Sequence, residues 1–95
     1  MNWSIQIQYP DGTTSPILGG DSPRSAVVAM KGAVEFPQTP TNDKSLKDFM
    51  RNYARRVWLV RREAVEPADC ELFLRSLHKA GAIILTIPDD QEIIK

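Results

Sequence analysis

The sequence predicts an α+β fold in which a mixed four-stranded sheet packs with three helices, in the order ββααβαβ. Alternating apolar residues at the amino end, followed by a turn motif, are typical of an antiparallel hairpin. Two later apolar runs flank a helical pattern and predict a C-terminal β-α-β unit. The 95 residues are enough for one hydrophobic core and too few for two, so we expect a single small domain over 1–95.

The hairpin is predicted from a period of two. Apolar and polar residues alternate over 3–9, which indicates a strand with one buried and one wet face. The motif Pro10-Asp11-Gly12-Thr13 supplies turn residues, so a second strand is expected over 13–18. Pro16 cannot donate a hydrogen bond to a ladder, which places this second strand at a sheet edge.

Two helices should follow the hairpin. Gly19-Gly20 interrupts the strand pattern, and Asp21-Ser22-Pro23 offers a capping side chain before a proline suited to the first helical position, so a helix is predicted over 23–35. A proline-containing loop ends it. The second helix, over 43–55, has an apolar stripe on one side and basic residues on the other.

The carboxyl half carries the predicted β-α-β unit. The segment 57–62 begins with four apolar residues, which favours a central strand covered on both faces. A helix is predicted over 67–80, with Gly81 at its end, and a buried strand over 82–87. A connecting helix implies that the two strands run parallel. The last segment, 88–95, is an acidic tail.

Composition and charge exclude several classes of protein. No apolar run is long enough for a membrane helix, so no membrane contact is expected. Cys70 is the single cysteine, so an internal disulfide cannot form and a reducing cytoplasm is expected. The formal net charge is zero, yet segment 44–62 carries seven basic residues and one acidic residue, whereas segment 63–95 carries seven acids and three bases. Such segregation indicates either an interaction surface or two faces that neutralise each other.

The basic segment suggests phosphate recognition, because arginine presents a planar fork of donors to phosphate oxygens. A nucleic-acid or phosphate-binding module is therefore one functional hypothesis. Its predicted contacts are Lys47, Arg51, Arg55, Arg61 and Arg62.

Catalytic and metal sites find little support in the sequence. Cys70 and His78 stand eight residues apart on one predicted helix, about 12 Å along its axis, which is too far for a hydrogen bond that would activate the thiol. Asp89, Asp90 and Glu92 are better explained as a hydrated tail than as a metal site. We therefore expect no catalytic residue, no metal and no cofactor, and the sequence favours a protein that is not an enzyme.

Protein contact is the leading hypothesis. Leu72 is predicted on the polar side of the last helix, Trp58 lies in the all-apolar segment, and Ile93 and Ile94 form an apolar pair beyond the core. These residues favour a small non-catalytic cytoplasmic accessory or adaptor protein that forms a homodimer or binds another protein. A third hypothesis is a small-ligand binder or enzyme with a pocket between the hairpin and the central strand, where Trp3, Tyr9 or Trp58 could stack on the ligand.

Overall fold

The computed structural model of this chain describes residues 3–34 and 41–87. Within them, three helices and a three-stranded antiparallel sheet form an α+β fold, with strand order β2-β1-β3. The helices and strands in chain order are β1 (Trp3–Ile7), β2 (Leu18–Gly20), α1 (Pro23–Val34), α2 (Asp43–Arg61), α3 (Cys70–Lys79) and β3 (Ile83–Thr86). The predicted tail 88–95 lies outside the described residues.

The sheet has one face in the core and one face in contact with water. Ile5 and Ile7 of β1 and Ile83 of β3 are buried on the inner face, where α1 and α3 pack against the strands. Residues of the outer face alternate with them, and Ile84 of β3 is exposed there. The period of two in β1 therefore predicted the buried face correctly.

The return strand differs from the prediction because of Pro16. Thr14 forms an isolated bridge with Gln8, and regular pairing starts again only at Leu18 opposite Ile5. Between these two pairs the return chain has three residues where β1 has two, which makes a bulge around Pro16, a residue without an N–H for the ladder. The predicted strand over 13–18 is thus wrong in its bounds, and β2 contains the two glycines that were expected to end it.

Close contacts of β2 with β1 and with α1 explain those glycines. A Cβ atom at Gly19 would lie 2.5 Å from the Trp3 carbonyl oxygen, and one at Gly20 would overlap the Ser25 side chain. Helix α1 begins at Pro23, as predicted. The hydroxyl of Ser22, the residue before this proline, accepts a hydrogen bond from the Ser25 N–H and caps the helix.

The largest correction concerns segment 57–62, which is not a strand. Helix α2 begins at the cap residue Asn42 and continues to Arg61, six residues beyond the predicted end. Arg62 ends it in the left-handed conformation, with φ of 58° and its N–H donating to the Trp58 carbonyl. The four apolar residues of this segment are not all buried. Val57 faces the core, whereas the three residues that follow it project into water.

The loss of that strand changes the sheet. Without a central strand, β3 pairs with β1, and it does so antiparallel, so the predicted β-α-β unit and the mixed four-stranded sheet are both wrong. Helix α3 starts at Cys70 rather than at 67 because the Asp69 side chain accepts the Leu72 N–H and caps it. Gly81, at φ of 79°, follows the helix end as predicted.

The cap of α2 offers a test of the helix start. The Asn42 side chain accepts the Ser45 N–H, and the Asn42 N–H donates to the Ser45 hydroxyl. Asn42→Ala should therefore lower the free energy of unfolding by about 1 kcal/mol. The control is Asn52→Ala, an exposed site in the middle of the same helix, which should leave stability unchanged or raise it slightly. Urea denaturation measures both, and equal effects at the two sites would contradict the capping role.

Candidate interaction surface

A line of basic side chains follows the outer face of α2. Lys47, Arg51 and Arg55 are spaced by four residues, so they lie on one side of the helix, and all three are exposed. Trp58 stands three residues after Arg55 and shares that face. Arg62 completes the line, because its guanidinium carbon lies 5.9 Å from the centre of the Trp58 ring. We call Lys47, Arg51, Arg55 and Arg62 the basic stripe.

The end of α2 exposes three large apolar residues in succession. Trp58 is 49% exposed, and Leu59 and Val60 are each 57% exposed. Isolated apolar residues are common on protein surfaces, but here three successive ones, which project about 100° apart, leave more than half of the circumference of the helix end apolar. We call Trp58, Leu59 and Val60 the tip cluster.

Arg61 does not belong to the basic stripe, although the sequence grouped it there. Its side chain turns toward the sheet, where Nη2 donates a hydrogen bond of 3.1 Å to the Gln8 carbonyl oxygen. The predicted phosphate contacts therefore divide into four residues on the outer face of α2 and one on the opposite side. Arg61 instead lines a cleft.

This cleft, the hairpin cleft, has a volume of about 350 Å³ and lies between the hairpin turn and the C-terminal ends of α1 and α2. Tyr9 and Pro10 form one wall, and Tyr53 and Val60 form the other. Its cationic groups come from Arg56 and Arg61, and none of its described lining residues is acidic. The third hypothesis placed a pocket between the hairpin and segment 57–62, and the structure brings those parts together, with the segment as a helix.

Tyr53 connects the cleft to the core. Its ring packs 5.7 Å from the Phe49 ring and 6.3 Å from the Phe73 ring, and the Arg56 guanidinium lies 5.7 Å from the ring centre. Burial raises the pKa of the phenol; Arg56 and Arg61 act in the opposite direction, and Tyr9 adds to the rise. The hydroxyl therefore stays protonated at neutral pH and can donate a hydrogen bond.

Leu72 and Trp3 belong neither to the tip cluster nor to the hairpin cleft. Leu72 is 46% exposed on α3, as the helical pattern predicted, near Asp69 and Glu71 at the N-terminal end of that helix. Trp3 is partly buried and packs beside the Arg75 guanidinium, so it does not line the cleft. The apolar pair Ile93 and Ile94 lies outside the described residues.

Cys70 packs against the core, and His78 contacts β3. Cys70 is partly buried, and burial raises the pKa of its thiol, while Arg24 acts in the opposite direction. The thiolate is therefore disfavoured. His78 Nδ1 accepts a hydrogen bond of 3.3 Å from the Leu85 N–H on the free side of β3. This hydrogen bond links the last turn of α3 to β3.

Metal and membrane sites can be assessed over residues 3–34 and 41–87. Among them, no group of three histidine, cysteine, aspartate or glutamate side chains comes together as metal ligands. No helix in these ranges is both long and apolar enough to cross a bilayer. Asp89, Asp90 and Glu92 lie outside the ranges.

Leu59, Val60 and Arg56 are surface residues that the sequence interpretation missed. Leu59 and Val60 belong to the predicted buried strand, and Arg56 lies between that strand and the predicted helix. A signal was available, because Tyr53, Val57 and Val60 continue the i, i+4, i+7 spacing of the helix. The shorter run of four apolar residues was given more weight than this period.

Comparisons with models of known protein families, with curated proteins and with solved structures find no match to this chain. Its function is therefore inferred from its own residues and their geometry.

The raised pKa of Tyr53 predicts a pH dependence of stability. The folded state holds the phenol proton more tightly than the unfolded state, so this contribution is present below about pH 10 and is lost as pH rises through the folded pKa. Tyr53→Phe should reduce the loss of unfolding free energy between pH 9 and about 11.

The proteins with and without the Tyr53→Phe change are compared in a Cys70→Ala background, because the pKa of the Cys70 thiol is also raised and would add a pH dependence of the same sign. Urea denaturation at several pH values measures it. Identical pH profiles with and without the hydroxyl would show that Tyr53 does not contribute.

Proposed function

We propose that this protein is a small accessory or adaptor protein that acts through protein contact, with the tip cluster at the centre of its contact surface. The observation that carries the proposal is the exposure of Trp58, Leu59 and Val60 in succession on one helix end. Removing apolar surface from water contributes about 25 cal/mol per Å², so covering this patch stabilises a complex. Nothing in this role requires catalysis.

The surroundings of the patch suit a protein interface. Trp and Arg are enriched among the residues that dominate binding free energy, and here Trp58 lies between Arg55 and Arg62. A stable contact covers about 800 Å² on each partner. Three side chains are too few for that area, so the contact extends over the basic stripe or the rim of the hairpin cleft, with Tyr9 as its nearest exposed aromatic residue.

A second copy of the chain is the partner we propose first. Contact of one tip cluster with another would set the arginines of the two copies against each other, which disfavours that arrangement. Leu72 lies instead at the acidic end of α3, beside Asp69 and Glu71. Contact of the tip cluster with Leu72 of the second copy therefore pairs opposite charges. Two such contacts about one two-fold axis make a closed homodimer.

The cytoplasm remains the proposed location. Cys70 is partly buried and the pKa of its thiol is raised, so the thiol reacts weakly. With this one cysteine the fold contains no internal disulfide, so it does not need an oxidising compartment. Ile93 and Ile94 remain predicted contact residues.

Exposed apolar residues at and away from the proposed contact test the homodimer. Light scattering after size exclusion should give the mass of a dimer for the wild type. Trp58→Glu and Leu72→Lys should each weaken the dimer by at least about 30-fold, the effect of losing a dominant contact residue.

The control is Ile17→Glu, which replaces an apolar residue that is 71% exposed beside Ile84 on the outer face of the sheet, and it should remain a dimer. Circular dichroism verifies that each variant is folded. A wild type that is monomeric at every accessible concentration, or a control that dissociates with the others, would refute this contact.

Binding of single-stranded nucleic acid is a second candidate, favoured by one structural observation. The sequence assigned Trp58 to a strand, but the structure places it in line with Lys47, Arg51 and Arg55. Cationic side chains that follow a backbone, together with an aromatic ring on which a base stacks, are the usual means of binding single strands. The neutral total charge weighs against this candidate.

Fluorescence anisotropy with a labelled oligothymidine at low salt tests it, together with retention on heparin. If all four cations of the basic stripe contact phosphates, the logarithm of affinity should fall with the logarithm of salt at a slope of about −3. Arg51→Glu combined with Arg55→Glu should abolish binding and retention. The matched control, Arg75→Glu combined with Lys79→Glu on α3, changes the net charge by the same amount and should not. A flat titration curve, or equal losses in the variant and the control, would refute this function.

A further inference from the structure

The hairpin cleft is a concave site that the proposed protein contact does not explain. Its volume of about 350 Å³ falls within the range of small-molecule sites, about 300–1,000 Å³. Its body is apolar, with Tyr9, Pro10, Val57 and Val60 along the walls. A ligand that fits these walls has an apolar part of its own, because only such a part gains from leaving water there.

The charged groups of the cleft have one sign. Arg56 and Arg61 line it, and the described lining contains no aspartate or glutamate. Each guanidinium is held in place: Arg56 stacks on the Tyr53 ring at 5.7 Å, and Arg61 donates to the Gln8 carbonyl oxygen at 3.1 Å. Cations that are already positioned lose less conformational entropy when they bind a ligand. The cleft is therefore arranged for an anion.

Tyr53 supplies a third polar group at the same place. Tyr53 lines the cleft, and its ring centre lies 5.7 Å from the guanidinium carbon of Arg56. Since the phenol is protonated at neutral pH, it can donate a hydrogen bond to an anionic oxygen. Two guanidinium groups and one phenol above apolar walls match a molecule with a charged head and an apolar body.

We propose that the hairpin cleft binds a small organic anion, with its carboxylate at Arg56 and Arg61 and an aromatic or branched apolar body between Tyr9, Tyr53 and Val60. Planar guanidinium groups bind carboxylates through paired hydrogen bonds. A neutral molecule of the same shape gains only the apolar contacts, and an amine is repelled. Ligand binding in the cleft is a further property of this protein and does not require the proposed protein contact.

Three probes of one shape test the proposal: 4-phenylbutyrate, 4-phenylbutanol and 4-phenylbutylamine. Isothermal titration with the full chain should show binding of the acid, binding of the alcohol that is at least about 10-fold weaker, and no binding of the amine. Chemical-shift changes in ¹⁵N spectra should concentrate at Tyr9, Tyr53 and Val60. Equal affinity for the three probes, no binding of the acid, or shifts located elsewhere would overturn the proposal.

Two neighbouring arginines provide the matched pair of variants. Arg56→Met keeps an apolar stem but removes the charge, so it should weaken the acid at least about 10-fold and leave the alcohol unchanged. Arg55→Met changes the adjacent residue on the outer face and should affect neither probe. Equal losses in the two variants would overturn the assignment. Val60→Glu, at an exposed helix position, places an acid in the wall and should abolish binding of the acid probe.

Trp58→Glu separates this site from the proposed protein contact. Trp58 does not line the cleft, so the variant should bind 4-phenylbutyrate with the affinity of the wild type, whether or not the wild type is a dimer. Loss of binding in Trp58→Glu would place the ligand at the tip cluster and would overturn the cleft assignment, whereas a monomeric wild type would not affect it.

Discussion

Phe73 is fully buried where α2 meets α3, and the rings of Phe49 and Tyr53 lie 6.3 Å from it at edge-on angles. Both partners are on α2, so this aromatic contact fixes how α2 is rotated about its axis. The rotation in turn decides which residues of the helix meet the core and which meet water. The basic stripe, the tip cluster and the wall of the hairpin cleft all follow from it.

Two surfaces arise from opposite sides of this one helix. The outer side carries the basic stripe with Trp58, and the inner side brings Arg61 against the end of β1 and forms the hairpin cleft. Val60 belongs to both the tip cluster and the cleft. Because the helix is rigid, these surfaces keep a constant distance from each other, so a partner at the tip lies next to any ligand in the cleft.

Local patterns predicted the elements whose signals agree with one another. The period of two in β1, the Ser22-Pro23 start of α1 and the Gly81 end of α3 each combine a periodic pattern with a cap or a turn residue, and the structure has them. Segment 57–62 carried two conflicting signals, an apolar run and the helical spacing that Val57 and Val60 continue from Tyr53. The run by itself fits a strand covered on both faces and equally a helix end that leaves apolar residues in water.

The sequence by itself determined where α1 and α2 begin and where α3 ends, which face of β1 is buried, and that basic residues gather in 44–62. Only the tertiary structure decided that Trp58 joins Lys47, Arg51 and Arg55, that Arg61 leaves them for the hairpin, and that β3 pairs antiparallel with β1. The reason is the range of the interactions. Caps and periods act within a few residues, whereas strand pairing and the rotation of α2 depend on contacts between residues far apart in the chain.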